Sequence, residues 1–336
     1  LVEADEFELP AGEDEEVAGL EAAVRGTLIS VMPLVVYEAV KDAAIVSRIY
    51  FLVGIASLIW GLMVPWATRH VPRRWMYSLG CGLYLVAMAL AVSGGPVAVP
   101  LALMCAALAT ATCFVCFNAY VLDYVARADL GRTQSLQMLY AATPWAVGPL
   151  LGVWLRSLWA PLPFLVAAGF VVLLLIALAI KIDSPGPVFF RQERMGWTGE
   201  SFRIWKFRSM FVHQPEAVVQ QATRNDPRVT RVGAFLRRTS LDELPQLWNV
   251  LKGEMSLVGP RPLIQDELAR YGKDVTYYLM SRPGMTGLWQ VSGRSDATYV
   301  SRIRFDAWYV RNWSLWYDLV IMLRTVGVVF RQEGAC

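Results

Sequence analysis

The sequence is poor in cysteine and has no cysteine framework that could close disulfides. It contains five cysteines in 336 residues, and four of them, Cys81, Cys105, Cys113 and Cys116, lie inside long apolar runs. Cys113 and Cys116 have the Cys-x-x-Cys spacing of redox and metal sites, but no acidic residue or histidine stands beside them. We therefore interpret these cysteines as packing residues of apolar segments.

Charged residues are also scarce, at 18% of the chain, whereas hydrophobic residues make up 56%. This composition is too apolar for an ordinary soluble domain of this length and indicates a membrane protein. The start of the sequence lacks basic residues, because the first sixteen residues contain eight acidic residues and no Lys or Arg. We therefore expect no signal peptide and predict that residues 1–21 are a disordered acidic tail.

Long apolar runs of roughly 18 to 27 residues fill the first half of the chain, which is the length of membrane-spanning helices. The predicted spans are residues 22–40, 49–67, 75–94, 97–122, 138–155 and 162–180. Two connections between these helices are the most basic. One contains Arg69, Arg73 and Arg74, and the other contains Arg127 and Arg132. The positive-inside rule places both connections in the cytoplasm, so the chain after the sixth helix is expected to emerge there.

Two motifs in this half suggest a known architecture. They are Pro65-Trp66-Ala67-Thr68-Arg69-His70-Val71-Pro72-Arg73-Arg74 after the second helix and Gly148-Pro149-Leu150-Leu151-Gly152 in the fifth. On these motifs, residues 22–180 resemble the N-terminal six-helix half of a major facilitator superfamily transporter. Such transporters bind substrate between two halves, and the sequence holds only one. We interpret the region chiefly as a membrane anchor, with transport as an alternative.

The chain changes character after Lys181. Residues 181–336 hold 22 basic and 15 acidic residues, a balance that suits phosphate-bearing substrates, anionic lipids or nucleic acid. The periodicity predicts short strands over 188–190 and 202–208 and helices over 232–238 and 241–251. The predicted fold is thus a bundle of about six transmembrane helices followed by a small α/β, mostly helical domain.

The segment from Arg237 to Pro262 admits two interpretations. Ser240 and Glu243 have the spacing of a capping box, and an acidic residue beside them would favour the helix dipole. Phosphoryl transfer, however, needs a nucleophile, cations for the nonbridging oxygens, and a metal ion or Arg for the leaving phosphate. Asp242 would be the nucleophile, and Glu243 would ligate Mg²⁺. Arg261 lies between two prolines, which makes its guanidinium suited to bidentate phosphate contact.

Six separated motifs identify this half of the chain. They are Asp183-Ser184-Pro185-Gly186-Pro187-Val188-Phe189-Phe190-Arg191-Gln192, Lys206-Phe207-Arg208-Ser209-Met210, Asp226-Pro227-Arg228-Val229-Thr230, the segment around Asp242-Glu243, Arg282-Pro283-Gly284-Met285-Thr286-Gly287-Leu288-Trp289-Gln290-Val291-Ser292-Gly293-Arg294, and Asn312-Trp313-Ser314-Leu315-Trp316-Tyr317-Asp318. On these motifs, residues 181–336 are similar to the bacterial sugar transferase family, the monotopic polyprenyl-phosphate hexose-1-phosphate transferases.

The resemblance implies an activity and a set of site residues. Asp242 would attack the β-phosphate of a UDP-sugar, expel UMP and carry the sugar phosphate until polyprenyl phosphate attacks it. The resemblance also implies Mg²⁺ as cofactor, with Glu243 as its ligand. The predicted phosphate contacts are Lys206, Arg208, Arg238, Arg261 and Arg294.

The resemblance further implies partners and a location. The expected partners are UDP-sugar, polyprenyl (undecaprenyl) phosphate, membrane lipids and other polysaccharide-assembly proteins, with no nucleic acid. The expected location is the bacterial inner membrane, with the catalytic domain facing the cytoplasm. The block from Asn312 to Asp318 is typical of family members that serve exopolysaccharide or capsule assembly. The alternatives are a transporter fragment and an inactive fusion scaffold.

Two membrane segments of this half need separate interpretation. In the family, the apolar helix before the Asp-Ser-Pro-Gly-Pro turn is broken by a Ser-Pro pair, whereas this chain has Phe170 and Val171 there. Without that proline we expect an unbroken helix, about 28 Å long at ~1.5 Å per residue, which is long enough to cross a membrane. The segment from Trp308 to Phe330 is aromatic early and aliphatic later, which predicts an interfacial helix, with a core helix as the alternative.

Overall fold

The computed structural model describes residues 15–124, 130–212, 226–292 and 299–331. The chain divides into two compact units, Leu1–Ile182 and Asp183–Cys336. The division falls close to residue 181, where the composition of the sequence changes.

In the first unit, the part of the chain that the structure describes forms six long helices. They are α1 (Glu15–Val40), α2 (Ala43–Ala67), α3 (Arg73–Ser93), α4 (Ala98–Tyr124), α5 (Leu130–Leu158) and α6 (Leu162–Asp183). All six are long and apolar enough to cross a membrane. The prediction of a membrane protein with about six apolar helices is therefore confirmed.

Four of these helices, α1, α2, α3 and α5, begin earlier than hydropathy predicted. Helix α1 starts at Glu15, so residues 15–21 are helical and the prediction that they are disordered is wrong; residues 1–14 lie outside the described part of the chain. The first turns of α1 bury Ala18 and Ala22, and such packing stabilises a helix beyond its apolar run. Helix α2 starts at Ala43 because the Asp42 carboxylate accepts hydrogen bonds from two backbone N–H groups of the first turn, the shorter at 2.8 Å.

Close contact between α1 and α5 explains the glycine motif of the fifth helix. A Cβ atom on Gly148 would lie 2.5 Å from the carbonyl carbon of Gly26, and one on Gly152 would lie 2.4 Å from the carbonyl oxygen of Thr27. Small residues that let helix backbones approach are typical of helix packing in membranes. The motif therefore has a packing role in this bundle.

Helix α6 runs without a break through Phe170 and Val171, as predicted. Val171 is fully buried and packs with Phe164, Ala167 and Leu174 into the core of the first unit. The missing proline thus leaves an unbroken apolar helix that ends at Asp183, where the second unit begins.

The described residues of the second unit are mostly helical, with two small sheets. Its helices are α7 (Arg231–Thr239), α8 (Gln246–Leu251), α9 (Gln265–Leu268), α10 (Val275–Leu279), α11 (Leu288–Val291), α12 (Tyr299–Arg311) and α13 (Leu315–Arg331). Strands β1 (Phe189–Met195) and β2 (Ser201–Phe207) form an antiparallel hairpin, whereas β3 (Ser256–Val258) and β4 (Gly284–Thr286) pair in parallel. The predicted α/β, mostly helical character is confirmed.

The chain around Ser240 folds differently from the predicted helix over 241–251. Ser240 has a φ of 56° and ends α7, and its hydroxyl makes no capping hydrogen bond. A capping serine needs an extended backbone, so the capping-box interpretation is wrong. A 3₁₀ turn, Leu241–Glu243, follows, and α8 begins only after Pro245. Asp242 and Glu243 therefore lie on a tight turn between two helices.

Helix α13 exposes a stripe of large apolar side chains, including Leu315, Trp316, Leu319 and Leu323. Ile321 of the same helix is buried and contributes to a core cluster of the second unit. The helix is thus packed on one side and apolar on the other, a distribution that fits an interfacial helix. Its membrane contact stays a prediction.

Candidate active site

The 3₁₀ turn brings two acidic side chains to a lysine of β2. The Glu243 carboxylate forms an ion pair with Lys206, with 2.7 Å between Oε1 and Nζ. Asp242 is 8% exposed. Burial raises the pKa of its carboxyl to about 6, an effect that Lys206 and Arg237 oppose and Glu243 reinforces. Asp242 is therefore a buried carboxyl with cations beside it, more easily protonated than a surface aspartate.

The basic residue of α7 that neighbours Asp242 is Arg237, which the sequence interpretation missed. Its Nε donates a hydrogen bond of 2.8 Å to the hydroxyl of Ser209. Burial lowers the pKa of Arg237, whereas the charge of Asp242 raises it. Arg238, the predicted phosphate contact, is exposed to solvent.

Helical geometry explains why Arg237 and not Arg238 faces inward. Gly233 packs so closely that a Cβ there would lie 2.0 Å from the carbonyl oxygen of Ser209. Residues four apart share a helix face, so Arg237 lies on the face of Gly233. In the sequence, the glycine four residues before Arg237 was the signal that could have indicated which of the two arginines faces inward.

Arg208 has a structural role in this geometry. Its guanidinium is buried and donates hydrogen bonds to the carbonyl oxygens of Ser184, Pro185, Gly186 and Pro187, over distances of 2.5 to 3.3 Å. These bonds hold the Asp-Ser-Pro-Gly-Pro turn. These hydrogen bonds use most of the N–H donors of the guanidinium. The structure therefore gives no support to the predicted contact of Arg208 with a phosphate.

Asp183 and Asp226, which open two of the sequence motifs, also serve the local fold. The Asp183 carboxylate accepts a hydrogen bond of 2.8 Å from the backbone N–H of Val232, in the first turn of α7. Asp226 is buried and forms an ion pair with Arg228, with 2.7 Å between Oδ2 and Nη2. The sequence motifs thus contain two kinds of residue. Some belong to the site around Asp242, and others, such as Asp183, hold α7 in place.

Arg261 interacts electrostatically with three other arginines of this unit. Its charge contributes to lowering the pKa of Arg237, and of Arg194 and Arg302. Its guanidinium carbon lies 5.9 Å from the ring centroid of Trp289. The remaining predicted phosphate contact, Arg294, is outside the described residues.

Asp242 and Glu243 supply hard oxygen donors at adjacent positions. The described residues contain no group of three or more His, Cys, Asp or Glu that could hold a metal ion. Magnesium needs no such cage, because it keeps several waters and is usually held by one or two carboxylates together with substrate phosphates. One carboxylate is therefore enough for a Mg²⁺ ion completed by substrate phosphates and water, and Glu243 stays the predicted ligand.

Asp306 of α12 is a second buried carboxyl of this unit. Its Oδ2 accepts a hydrogen bond of 2.8 Å from the hydroxyl of Tyr271. Burial raises the pKa of Asp306 to about 7, although the Tyr271 bond and the charges of Arg302 and Arg261 oppose that rise. The ionised form is therefore the less favoured one inside the fold.

This pKa predicts how stability depends on pH. The pKa is about 7 in the folded protein and 3.8 for an ordinary Asp, so the folded state binds the extra proton. The free energy of unfolding should fall as pH rises from about 4 to about 7, by about 4 kcal/mol. Asp306→Asn should lose this part of the dependence, measured by denaturant unfolding of the detergent-solubilised protein. Asp266→Asn, at an exposed position, should keep it, and equal pH profiles for Asp306→Asn and wild type would contradict the assignment.

Comparisons with known proteins place the second unit in a family. The family model of the bacterial sugar transferases matches residues 159–332, which is just over half of the chain and includes α6. The chain is 52% identical over 190 residues to the UDP-galactose-lipid carrier transferase of Erwinia amylovora, a match that covers 50% of this chain and 39% of that protein. It is 51% identical over 178 residues to the undecaprenyl-phosphate galactose phosphotransferase of Salmonella typhimurium, which covers 48% of this chain and 37% of that protein.

A shorter relative matches over more of its length. The chain is 49% identical over 177 residues to the exopolysaccharide production protein ExoY of Rhizobium meliloti, a match that covers 48% of this chain and 78% of that protein. The chain thus spans about two fifths of the length of the first two relatives and most of the third. With the family model matched over more than half of its residues, the chain belongs to the bacterial sugar transferase family.

Proposed function

We propose that the protein transfers a hexose-1-phosphate from a UDP-sugar to undecaprenyl phosphate and thereby initiates exopolysaccharide or capsule biosynthesis. Three relatives support this proposal by name, as a UDP-galactose-lipid carrier transferase, an undecaprenyl-phosphate galactose phosphotransferase and an exopolysaccharide production protein. The single observation that carries it in this chain is the buried Asp242 carboxyl beside Lys206 and Arg237, next to Glu243 on the same turn.

The first step would be attack by Asp242 on the β-phosphorus of the UDP-sugar. A carboxyl with a pKa of about 6 is largely ionised above neutral pH, and ionised carboxylates form covalent phosphoryl intermediates. A bond forms between a carboxylate oxygen and phosphorus, while the bond between phosphorus and the bridging oxygen breaks. The bonding electrons leave with UMP, and the sugar phosphate stays on Asp242. Lys206 and Arg237 would stabilise the negative charge on the phosphoryl oxygens.

The second step would return Asp242 to its starting form. An oxygen of undecaprenyl phosphate attacks the same phosphorus, and the bond from phosphorus to the carboxylate oxygen breaks. The product is a lipid diphosphate sugar, and no proton or further reactant is consumed. When bound, Mg²⁺ would neutralise charge on the diphosphate, with Glu243 as the residue that holds it.

We further propose that the second unit faces the cytoplasm from the bacterial inner membrane. Arg69, Arg73 and Arg74 lie at the connection between α2 and α3, and basic connections stay on the cytoplasmic side. Since α1 to α6 are an even number of apolar helices, the chain would leave the membrane on the side where α1 began. Nucleotide-activated sugars are found on that side of the membrane, and this supports a UDP-sugar as the donor.

The experiment that tests this function uses the full chain in lipid nanodiscs with Mg²⁺ and undecaprenyl phosphate. UDP-galactose and UDP-glucose are supplied in turn, and UMP and the lipid-linked sugar are measured. We expect UMP release equal in amount to the lipid product for at least one sugar. Correctly folded protein that releases no UMP with either sugar would contradict the proposal and support the inactive scaffold.

A further inference from the structure

A cavity of about 280 Å³ lies at one end of the first unit. Its walls come from the ends of α1, α3 and α5, the first turns of α4 and α6, and the connections between these helices. Most of the walls are apolar, and Ala39, Ala91, Val99 and Phe164 contribute to them. The cavity is smaller than the ~300–1,000 Å³ that enclose a whole small ligand. It is therefore suited to one part of a larger molecule.

Two charged side chains face this apolar cavity. Among the described residues that line it, the charged ones are Glu38 of α1 and Arg156 of α5, and the Arg156 Nη2 donates to the Glu38 Oε2 in an ion pair. The Arg156 Nη1 also lies 3.4 Å from the carbonyl oxygen of Ala160. These contacts use two of the five N–H groups of the guanidinium and one carboxylate oxygen. The pair can therefore accept further polar contacts without being broken.

The position of the cavity along the helices indicates which large molecule reaches it. Since α1, α3 and α5 end there and α4 and α6 begin there, the cavity lies where the predicted spans meet the membrane surface. Tyr37, Trp154 and Trp159 lie at the same helix ends, and each is more than half exposed. Aromatic rings of this kind are enriched at the depth of the lipid head groups. A phospholipid of the surrounding bilayer therefore has both its head group and its apolar chains beside the cavity.

The ion pair indicates the chemistry of the head group. An anionic head group would meet the like charge of Glu38, whereas a cationic one would meet that of Arg156. A zwitterionic head group complements both, with its phosphate against the guanidinium and its ammonium against the carboxylate. A primary ammonium offers three N–H donors to the carboxylate, and a trimethylated ammonium offers none. The pair therefore favours a zwitterion with a primary ammonium.

The exposure of the two side chains agrees with this orientation. The Arg156 side chain is 17% exposed and that of Glu38 is 60% exposed, so the guanidinium is the more enclosed of the two charges. In a zwitterionic phospholipid the phosphate lies next to the glycerol and the apolar chains, and the ammonium lies further out. The enclosed cation thus matches the inner group of the lipid, and the exposed carboxylate matches the outer one.

We propose that this cavity binds one membrane phospholipid whose head group joins a phosphate to a primary ammonium. Arg156 donates to the phosphate, Glu38 accepts from the ammonium, and part of an acyl chain packs against Ala91 and Val99. The site belongs to the first unit alone and does not depend on the proposed sugar-phosphate transfer. The competing assignment is an ion pair that only holds α1 to α5 and binds no lipid.

The test is native mass spectrometry of the full chain in detergent. Phosphatidylethanolamine, phosphatidylcholine and phosphatidylglycerol with identical acyl chains are added at equal concentrations. We expect phosphatidylethanolamine to bind about tenfold or more tightly than either of the others, since its ammonium donates charge-assisted hydrogen bonds to the carboxylate. Equal affinities for the three lipids, or a preference for phosphatidylglycerol, would overturn the proposal.

Substitutions of the charged pair locate the binding. Arg156→Gln should weaken binding of phosphatidylethanolamine about tenfold or more, and Glu38→Gln should remove its advantage over phosphatidylcholine. Arg48→Gln is the matched control, because Arg48 is exposed near the start of α2, at the same end of the bundle and outside the cavity lining. It should bind lipid as the wild type does. Equal weakening in Arg48→Gln and Arg156→Gln would show that general surface charge holds the lipid, which would contradict the site.

A further variant and a thermal measurement separate binding from folding. Ala91→Leu fills part of the cavity without touching either charge, so it should weaken binding of phosphatidylethanolamine even if Arg156→Gln does not fold. Added phosphatidylethanolamine should raise the melting temperature of the wild type and of Arg48→Gln but not that of Ala91→Leu. Full lipid affinity in Ala91→Leu, or a lower melting temperature in Arg156→Gln with unchanged lipid affinity, would leave the ion pair with a structural role only.

Discussion

Asp242→Asn is expected to reduce UMP release by on the order of 10³-fold or more, since it replaces the proposed nucleophile by a neutral amide of the same shape. The protein should still fold, because burial already raises the pKa of this carboxyl to about 6 and so disfavours its charged form. The measurement is UMP release by the full chain in nanodiscs with UDP-sugar, undecaprenyl phosphate and Mg²⁺. Wild type given a labelled UDP-sugar without lipid acceptor should also retain label on the protein, and the variant should not.

Asp266→Asn is the matched control for this loss. Asp266 lies exposed on α9, so its replacement changes the same charge away from the 3₁₀ turn and should leave UMP release unchanged. An undiminished rate in Asp242→Asn would exclude Asp242 as the nucleophile. Uptake or efflux of a solute that persists in Asp242→Ala would instead favour the transporter interpretation of the first unit.

Lys206→Met is expected to lower the rate of UMP release by about 10²-fold, because it removes a cation that would stabilise charge on the transferred phosphate. In the structure Lys206 contacts Glu243 at 2.7 Å and opposes the rise in the pKa of Asp242. Methionine keeps the apolar stem of the side chain and deletes only the charged end. The measurement is the initial rate of UMP release over a range of UDP-sugar concentrations.

Two further variants serve as comparisons for Lys206→Met. Lys206→Arg keeps the positive charge in a larger, planar group and should retain more activity than Lys206→Met. Lys273→Met makes the same change at an exposed position and should have no effect. If Lys206→Met released UMP as fast as Lys273→Met does, the ion pair with Glu243 would have only a structural role.

Several features of this protein could be predicted from sequence because they depend on local pattern. The apolar runs predicted six candidate spans, since length and hydropathy alone decide whether a helix can cross a bilayer. The alternation of residues 202–208 predicted a strand, and β2 lies there. The ordered motifs from Asp183 to Asp318 predicted the family, which the family model confirms.

Other features depended on how neighbouring elements pack. Ser240 has the sequence spacing of a helix cap, but its left-handed backbone ends α7 and puts Asp242 on a 3₁₀ turn. Arg237 and Arg238 are adjacent in sequence and equally basic, yet the contact of Gly233 with Ser209 decides which of them faces the carboxyl. Both outcomes follow from which side of a helix meets the rest of the unit, and the sequence offered only one signal for them, the glycine at position 233, four residues before Arg237.

By itself, the sequence determined that this is a membrane protein with a basic, motif-bearing second half, and it identified the pair Asp242 and Glu243. The tertiary structure decided which cations serve that pair: Lys206 contacts Glu243, Arg237 neighbours Asp242, and Arg208 turns instead to the carbonyls of the 184–187 turn. The physical reason is that hydropathy and residue type are properties of the chain, whereas the direction of a side chain and its burial are set by contacts between segments far apart in sequence.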